Sequence, residues 1–479
     1  MKVNMFKEFL KRQLIEDIIS FKFLLNIGLI LTAVIVFSLI FINNYHNLLD
    51  DYSKSQINND KVLQAFSKAP SSNLEGQAID CLLKPCPERI ISDAYEAKIP
   101  QGFLLTVRPY LVQVKNQSEE VMYTEISKRD LESSAFSFTP DLTFIVQFLL
   151  SFFAIVLTFN AISAEKENGT LRLVYSNSFK SAHFILSKYV GAFITICLPL
   201  LLGLIISLIL LATGSLIPIS SSLIMKYLSF FIISLLYLSV FILIGILCSI
   251  IGHSSKISLV LSLLAWIFLV IIIPKSTGML LSLKQFDVPT EEEIRELAYK
   301  AEDATIAKMK IQMAENSKKE IDEDRKVEMK LRLYSEADKS FQDISDFYLR
   351  KKISAIKTIR AINCISPASL FEFSASSIAG TGLPHFESIW RQARQYGNDF
   401  ISFLNDNVSS LKRGFYFYPD VASISDKPID FNAIPKFEDK KINLAEGTRD
   451  ALPYVILLIF YNLAIFIIVL YKFQKYDVR

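Results

Sequence analysis

The chain has 479 residues, of which 51% are hydrophobic and 21% are charged. Its mean hydropathy is +0.35, so apolar and polar residues must be segregated into long stretches of each kind. A net charge of +3 is too small for this length to indicate a nucleic-acid binder, whose basic residues cluster on one face. The composition therefore predicts a membrane protein with large aqueous parts.

Six stretches are long and apolar enough to cross a hydrocarbon layer of about 30 Å. They are residues 23–42, 142–162, 189–212, 227–251, 257–273 and 452–471. Lysines and arginines flank the first and last stretches and occur throughout residues 163–188, and such residues favour the cytoplasmic side. The pattern predicts a multi-pass protein of the bacterial cytoplasmic (inner) membrane with both termini inside. No small-residue cleavage site follows the first stretch, so we expect it to remain as an anchor.

Residues 1–22 are predicted to form a cytoplasmic amphipathic helix that lies in the membrane interface. The alternative is a charged flank that only sets orientation. The apolar positions on roughly one face are Val3, Phe6, Leu10, Leu14, Ile18 and Phe21.

The first insertion, residues 43–141, is polar and is interrupted by prolines. Apolar runs at 103–107 and 111–114 resemble paired strands. We therefore expect a small mixed α/β extracytoplasmic domain. Cys81 and Cys86 lie in it, and the sequence leaves open whether they form a disulfide or remain two free thiols.

The second insertion, residues 274–451, is predicted to be a mainly helical extracytoplasmic domain, because its first half is rich in Glu, Lys, Ala, Met and Gln. A helical hairpin over 291–352 is the simplest arrangement. Its apolar face either packs on its own domain or forms a coiled-coil surface for an envelope partner. From Ser366, prolines and glycines predict irregular chain around one helix near 386–404. Residues 472–479 are predicted to be a cytoplasmic tail.

The sequence contains no glycine-rich phosphate loop ending in Gly-Lys-Ser/Thr, and its four histidines are scattered. These features indicate a chain that is not an enzyme and that holds no cofactor or metal of its own. The six stretches also hold essentially no ionisable residue, whereas ion-driven transporters usually need such groups at mid-membrane. We infer that any energy source is another protein.

A short charged segment separates the second and third apolar stretches. It contains Glu165-Lys166-Glu167-x-Gly169-Thr170-Leu171 and leads to Ile185-Leu186-Ser187-Lys188. This pattern resembles the loop after the second span in permease subunits of ABC-2 type transporters. Many members have a proline near residues 177–179, which this chain lacks. A plain solvated loop with orientation-setting charges is the alternative.

The resemblance implies an α-helical polytopic membrane protein with six transmembrane helices, similar to type V exporters, and two extracytoplasmic domains. It implies two permease chains, as a homo- or heterodimer in the lipid bilayer, and two separate ABC ATPase chains that bind ATP and Mg. Residues 163–188 would be the coupling-helix loop, and Gly169 would provide a turn at the helix start. The implied ATPase contacts are Glu165, Lys166, Glu167, Gly169, Thr170, Leu171, Arg172, Leu173 and Val174.

The resemblance implies ATP-driven export, or extraction from the outer leaflet, of a substrate that the sequence does not identify. A second hypothesis is a mechanical or scaffolding protein, driven by the same ATPase, through which nothing crosses. A third is a receptor that works without an ATPase.

Overall fold

The computed structural model describes residues 2–68, 78–93, 102–106, 112–114, 141–171, 181–214, 219–274, 289, 291–316, 340, 343–344, 346–351, 353–407 and 427–475. Two helices begin the chain: α1 (Lys2–Ile19) and α2 (Phe21–Lys68). The 48 residues of α2 span about 72 Å, more than twice the thickness of a hydrocarbon layer. The helix therefore continues well past residue 42, because residues 43–68 contain no glycine or proline to end it.

The next helices follow in chain order from residue 142. Helix α3 consists of Leu142–Phe144 and Ser151–Thr158 on either side of a π-helical segment, Ile145–Leu150. It is followed by α4 (Ser163–Glu167), α5 (Ser181–Thr213), α6 (Ser221–Ile251) and α7 (Ser255–Trp266, continued by a π-helical segment, Ile267–Ile272). Four more helices are described from their first residue to their last. They are α8 (Glu291–Asn316), α9 (Pro367–Ala379), α10 (Leu383–Asn407) and α11 (Leu444–Gln474).

Six helical segments of the described chain are long and apolar enough to cross a membrane, which confirms the predicted number of spans. They are Phe23–Lys68, Leu142–Glu167, Ala182–Thr213, Ser221–Ile251, Ser255–Ile272 and Leu444–Gln474. We call the face that carries α1, α4 and the α6–α7 turn the N-terminal face. The opposite face, where both insertions leave the spans, is the insertion face.

Helix α9 is the main departure from the sequence prediction, which expected irregular chain there. All of its residues except Glu372 are buried, and it packs against α6, α11 and both π-helical segments. The Phe371 ring lies 4.6 Å from that of Tyr237 and 5.7 Å from that of Phe230, both on α6. Although α9 belongs to the second insertion in sequence, it lies in the core of the span bundle.

Two hydrogen bonds fix the depth at which α9 begins. The Ser366 hydroxyl donates to the Leu269 carbonyl of α7, at 2.5 Å, and the Tyr461 hydroxyl of α11 donates to the Ile365 carbonyl, at 2.7 Å. At 1.5 Å per residue, Leu269 and Tyr461 each lie about 20 Å from the N-terminal-face ends of their spans. The turn before α9 therefore enters the bundle from the insertion face and reverses inside it.

The described parts of the two insertions share a hydrophobic core. Leu63 and Phe66 of α2 share a hydrophobic core with Trp390 and Phe400 of α10 and with Ile434. We call this cluster the insertion core. The amide of Ile429 also donates to the Ser67 carbonyl at 2.8 Å. The end of α2 thus joins the first insertion to the second.

The insertion core should depend on Leu63, which is 4% exposed. Leu63→Ala is expected to destabilise this region by about 2–5 kcal/mol, because burial is lost and a cavity remains. Hydrogen exchange of residues 389–400 measures the change. Ile57→Ala, on the same helix but 58% exposed, is the control and should be near neutral; equal effects would show that the shared core contributes nothing.

Three short strands follow α2: β1 (Ala78–Leu82), β2 (Gly102–Thr106) and β3 (Val112–Val114) form an antiparallel sheet in the order β1-β2-β3. The predicted strand pair is confirmed, with Phe103 opposite Val114. A distinct mixed α/β domain is not supported, because α2 packs on the second insertion and the described chain is otherwise overwhelmingly helical. Cys86 is a free thiol, so the Cys81–Cys86 bridge is not formed in this structure.

Candidate functional site

The charged segment identified in the sequence forms a very short helix at the N-terminal face. Helix α4 has only five residues, and Asn168 is its C-cap. Gly169 follows with φ of +71°, in the left-handed region that favours glycine, and its amide donates to the Lys166 carbonyl at 3.0 Å. The glycine therefore follows the end of α4 and directly precedes the helical residues Thr170 and Leu171. Its predicted role at a helix start stays a prediction.

The first turn of α4 is held by a side chain from α6. The Ser249 hydroxyl accepts hydrogen bonds from the amides of Ile162, at 2.9 Å, and Ser163, at 3.0 Å. Ser163 and Ser249 are both fully buried. Amides at a helix start have no partner within the helix, so Ser249 satisfies two of them from another span and fixes α4 to α6.

Ser249→Ala should loosen this junction. Two buried amides would lose their acceptor, at a cost of about 1–3 kcal/mol for each unsatisfied group. The measurement is the thermal unfolding midpoint of the purified chain. Ser229→Ala is the matched control, because that hydroxyl bonds only within α6, to the Met225 carbonyl; it should change the midpoint little, and an equal shift in both variants would contradict the role of Ser249.

Glu167 connects α4 to the start of α7. Its carboxylate accepts from the Ser255 amide at 2.9 Å and from the Ser255 hydroxyl at 2.6 Å. Ser255 is the first residue of α7, where unpaired amides and the helix dipole favour a negative charge. The carboxylate therefore stabilises the helix start of the neighbouring span.

Glu165 connects α4 to α5 and α1. Its carboxylate pairs with the Lys188 ammonium at 3.0 Å and accepts a hydrogen bond from the Thr170 hydroxyl. The same ammonium donates to the Gln13 side-chain oxygen of α1 at 2.9 Å. The Gln13 amide in turn donates to Asp17, at 2.9 and 2.8 Å, and burial raises the pKa of the Asp17 carboxyl. One lysine thus joins three helices.

These bonds fix α4 directly to α5, α6 and α7, and indirectly to α1 through Lys188. We call α4 with its bonded partners the α4 junction, defined by Gln13, Glu165, Glu167, Lys188, Ser249 and Ser255. A body held at so many points moves with its neighbours rather than independently of them. A force applied to its exposed side would therefore be distributed across the span bundle.

The structure places the predicted interface residues in different environments. Glu167 and Gly169 are exposed, whereas Glu165, Lys166 and Thr170 are half-buried. Leu171 is fully buried in the main core, so the prediction that it contacts another protein was wrong. The predictions for Arg172, Leu173 and Val174 fall outside the described residues.

Sequence reasoning missed the partners that hold α4. Lys188 was interpreted only as an orientation-setting charge, although it belongs to the quoted motif. Gln13, Ser249 and Ser255 gave no signal, because each is an ordinary polar residue far from Glu165 in the chain. Within the described part of the chain, no group of three His, Cys, Asp or Glu side chains could hold a metal ion.

A family model described as ABC-2 family transporter protein matches residues 15–478. The chain belongs to the ABC-2 family. The match covers nearly the whole sequence and confirms the resemblance carried by the charged segment. ABC-2 family permeases are generally non-catalytic membrane subunits that work with ABC ATPases. No curated protein matches this ABC-2 family chain.

Proposed function

We propose that the chain is the permease subunit of an ATP-driven ABC transporter, and that separate ATPase chains drive it through α4. The observation that carries the proposal is the α4 junction, in which a helix with an exposed end is bonded to three spans, α5, α6 and α7, and through Lys188 to α1. Asn168 and Gly169 form the exposed tip. A docked protein that displaces this tip would move the spans with it.

The orientation follows from charge. Lysines and arginines are concentrated in the sequence at residues 1–22 and 163–188 and after residue 471, and the positive-inside rule assigns such flanks to the cytoplasm. Both termini and α4 then face the cytoplasm of a bacterial inner membrane. Cytoplasmic ATPase chains, with their own ATP and Mg, would reach α4 directly, and the two insertions would lie outside.

A second permease chain, identical or homologous, would complete the pathway, with export or outer-leaflet extraction as the direction. The insertions would form a single extracytoplasmic unit, because the insertion core joins them. The helical hairpin predicted for 291–352 lies partly outside the described residues, and an envelope partner for it stays a prediction. The family match does not favour the purely mechanical alternative.

The test is a two-component ATPase assay. The chain is reconstituted in nanodiscs and mixed with a purified candidate ABC ATPase, which is sought first among the neighbouring genes. We expect the ATP hydrolysis rate of the ATPase to change on addition of the loaded nanodiscs and to stay constant with empty nanodiscs. An ATPase that neither binds the chain nor changes its rate would overturn the proposal.

A further inference from the structure

A buried ion pair lies at the insertion face, far from the α4 junction. The Lys226 ammonium, near the start of α6, is 3.3 Å from a carboxylate oxygen of Glu88, and the side chains are 6% and 13% exposed. The same ammonium donates to the carbonyl of Ala379, the last residue of α9, at 3.1 Å. A cation at a helix C-terminus also interacts favourably with the helix dipole. Lys226 therefore connects α6, α9 and the first insertion.

Glu88 belongs to residues 86–93, which we call the cap segment. Ile90 and Ile91 of the cap segment are 1% and 0% exposed and lie in the main core of the bundle. The Ile91 carbonyl accepts from the Thr143 amide at 3.0 Å and from the Thr143 hydroxyl at 2.7 Å. The cap segment is thus fixed to the first turn of α3.

Two more bonds hold the end of the cap segment. The amide of Asp93 donates to the Asp141 carboxylate at 2.9 Å, and the Thr381 hydroxyl donates to the Ser92 carbonyl at 2.8 Å. Thr381 follows Gly380, which ends α9 in a left-handed conformation, with φ of +79°. The cap segment therefore lies across the insertion-face ends of α3, α6 and α9.

Among the described residues, Lys226 is the cation that forms an ion pair with Glu88. His385 lies near the pair, but its pKa is lowered to about 4. Burial is the main cause, and the nearby positive charges of Lys441 and Lys226 add to it. The imidazole is consequently neutral at neutral pH. Among the described side chains, neither the second Glu88 oxygen nor His385 Nδ1 has a hydrogen-bond partner. The cluster of Glu88, Lys226 and His385 is only partly satisfied, which makes it sensitive to loss of the Lys226–Glu88 ion pair.

We propose that the Lys226–Glu88 ion pair, which we call the latch, holds the cap segment against the ends of α3, α6 and α9. When this pair is broken, the cap segment separates from these helix ends. Removing one member of a buried pair leaves an uncompensated charge, whereas removing both does not. The latch rests on contacts at the insertion face alone and is independent of the ATPase coupling.

Hydrogen exchange of the full chain in nanodiscs tests the latch. In Lys226→Met, we expect the amides of residues 87–93 and 380–382 to exchange about tenfold faster or more, because local opening becomes easier. Glu88→Gln should accelerate the same two segments, and Lys226→Met combined with Glu88→Gln should restore most of the protection. Peptides that contain α4 should be unaffected.

The control is Lys436→Met, which removes an exposed pair with Asp60, 3.2 Å apart with side chains 46% and 47% exposed; such pairs contribute little. It should leave both segments unchanged. The proposal is overturned if the single variants fold and exchange like the parent chain. It is equally overturned if exchange rises throughout the protein, or if the double variant opens as readily as Lys226→Met.

Discussion

Replacement of both Glu165 and Glu167 by alanine is expected to abolish most of the effect of this chain on its ATPase while leaving the two proteins associated. The double variant loses the Glu165–Lys188 ion pair, the Thr170 hydrogen bond and both bonds from Ser255. Helix α4 would then be held mainly by Ser249. Because α4 would no longer be bonded to α5 and α7 through these carboxylates, most of the difference in ATP hydrolysis rate with and without the chain should be lost.

The measurement is the ATP hydrolysis rate with and without the chain in nanodiscs, together with co-purification of the two proteins. Glu296→Ala is the control, because Glu296 forms an exposed pair with Lys300 on α8, 2.8 Å apart, away from the α4 junction. It should leave the rate unchanged. Unchanged activity in the Glu165 and Glu167 double variant, with ATPase association intact, would reject the coupling role of these carboxylates.

Gly447→Ala is expected to weaken the packing of α9 against α11. A Cβ atom on Gly447 would lie 2.5 Å from the Ser377 carbonyl oxygen and 3.4 Å from the Ser377 carbonyl carbon. Because the obstacle is backbone, the two helices must separate, and overpacking of this kind costs about 1–3 kcal/mol. The thermal unfolding midpoint of the purified chain should fall accordingly.

Gly28→Ala provides the matched control for that substitution. Gly28 lies within α2, and a Cβ atom there would meet nothing within 4 Å. Alanine is favoured over glycine in a helix by about 1 kcal/mol, so this variant should keep or raise the unfolding midpoint. If Gly447→Ala behaved in the same way, the close approach of α9 and α11 would be contradicted.

The six spans could be predicted from the sequence because hydropathy over a long window is a local property. Helix α9 could not be placed in this way, since its 13 residues are too few to cross a bilayer and include several serines. Its ends did carry local signals. Ser366 accepts bonds from the first amides, Pro367 occupies the first turn, and Gly380 follows the last residue. These signals predict a helix, but only the tertiary packing shows that it lies among the spans.

The sequence identified which charged residues belong to the candidate site, but it did not identify the residues that they contact. The motif directed attention to Glu165 and Glu167, whose carboxylates bond to α5 and α7; their contact with an ATPase stays a prediction. It could not reveal that Leu171 is buried in the core of its own chain. Nor could it identify Ser249 as the acceptor for the α4 amides, because a serine within an apolar span has no feature that distinguishes it from others that bond to their own helix.

The most direct test of the central claim is site-specific photo-crosslinking from Asn168, at the exposed tip of α4. A photoreactive residue is introduced there in the full chain, and cells are irradiated before the membranes are solubilised. The account predicts a covalent adduct with an ABC ATPase, and none from the same probe at Asp51, an exposed position on α2 beyond the first span. An adduct with the ATPase from Asp51 and none from Asn168 would contradict it.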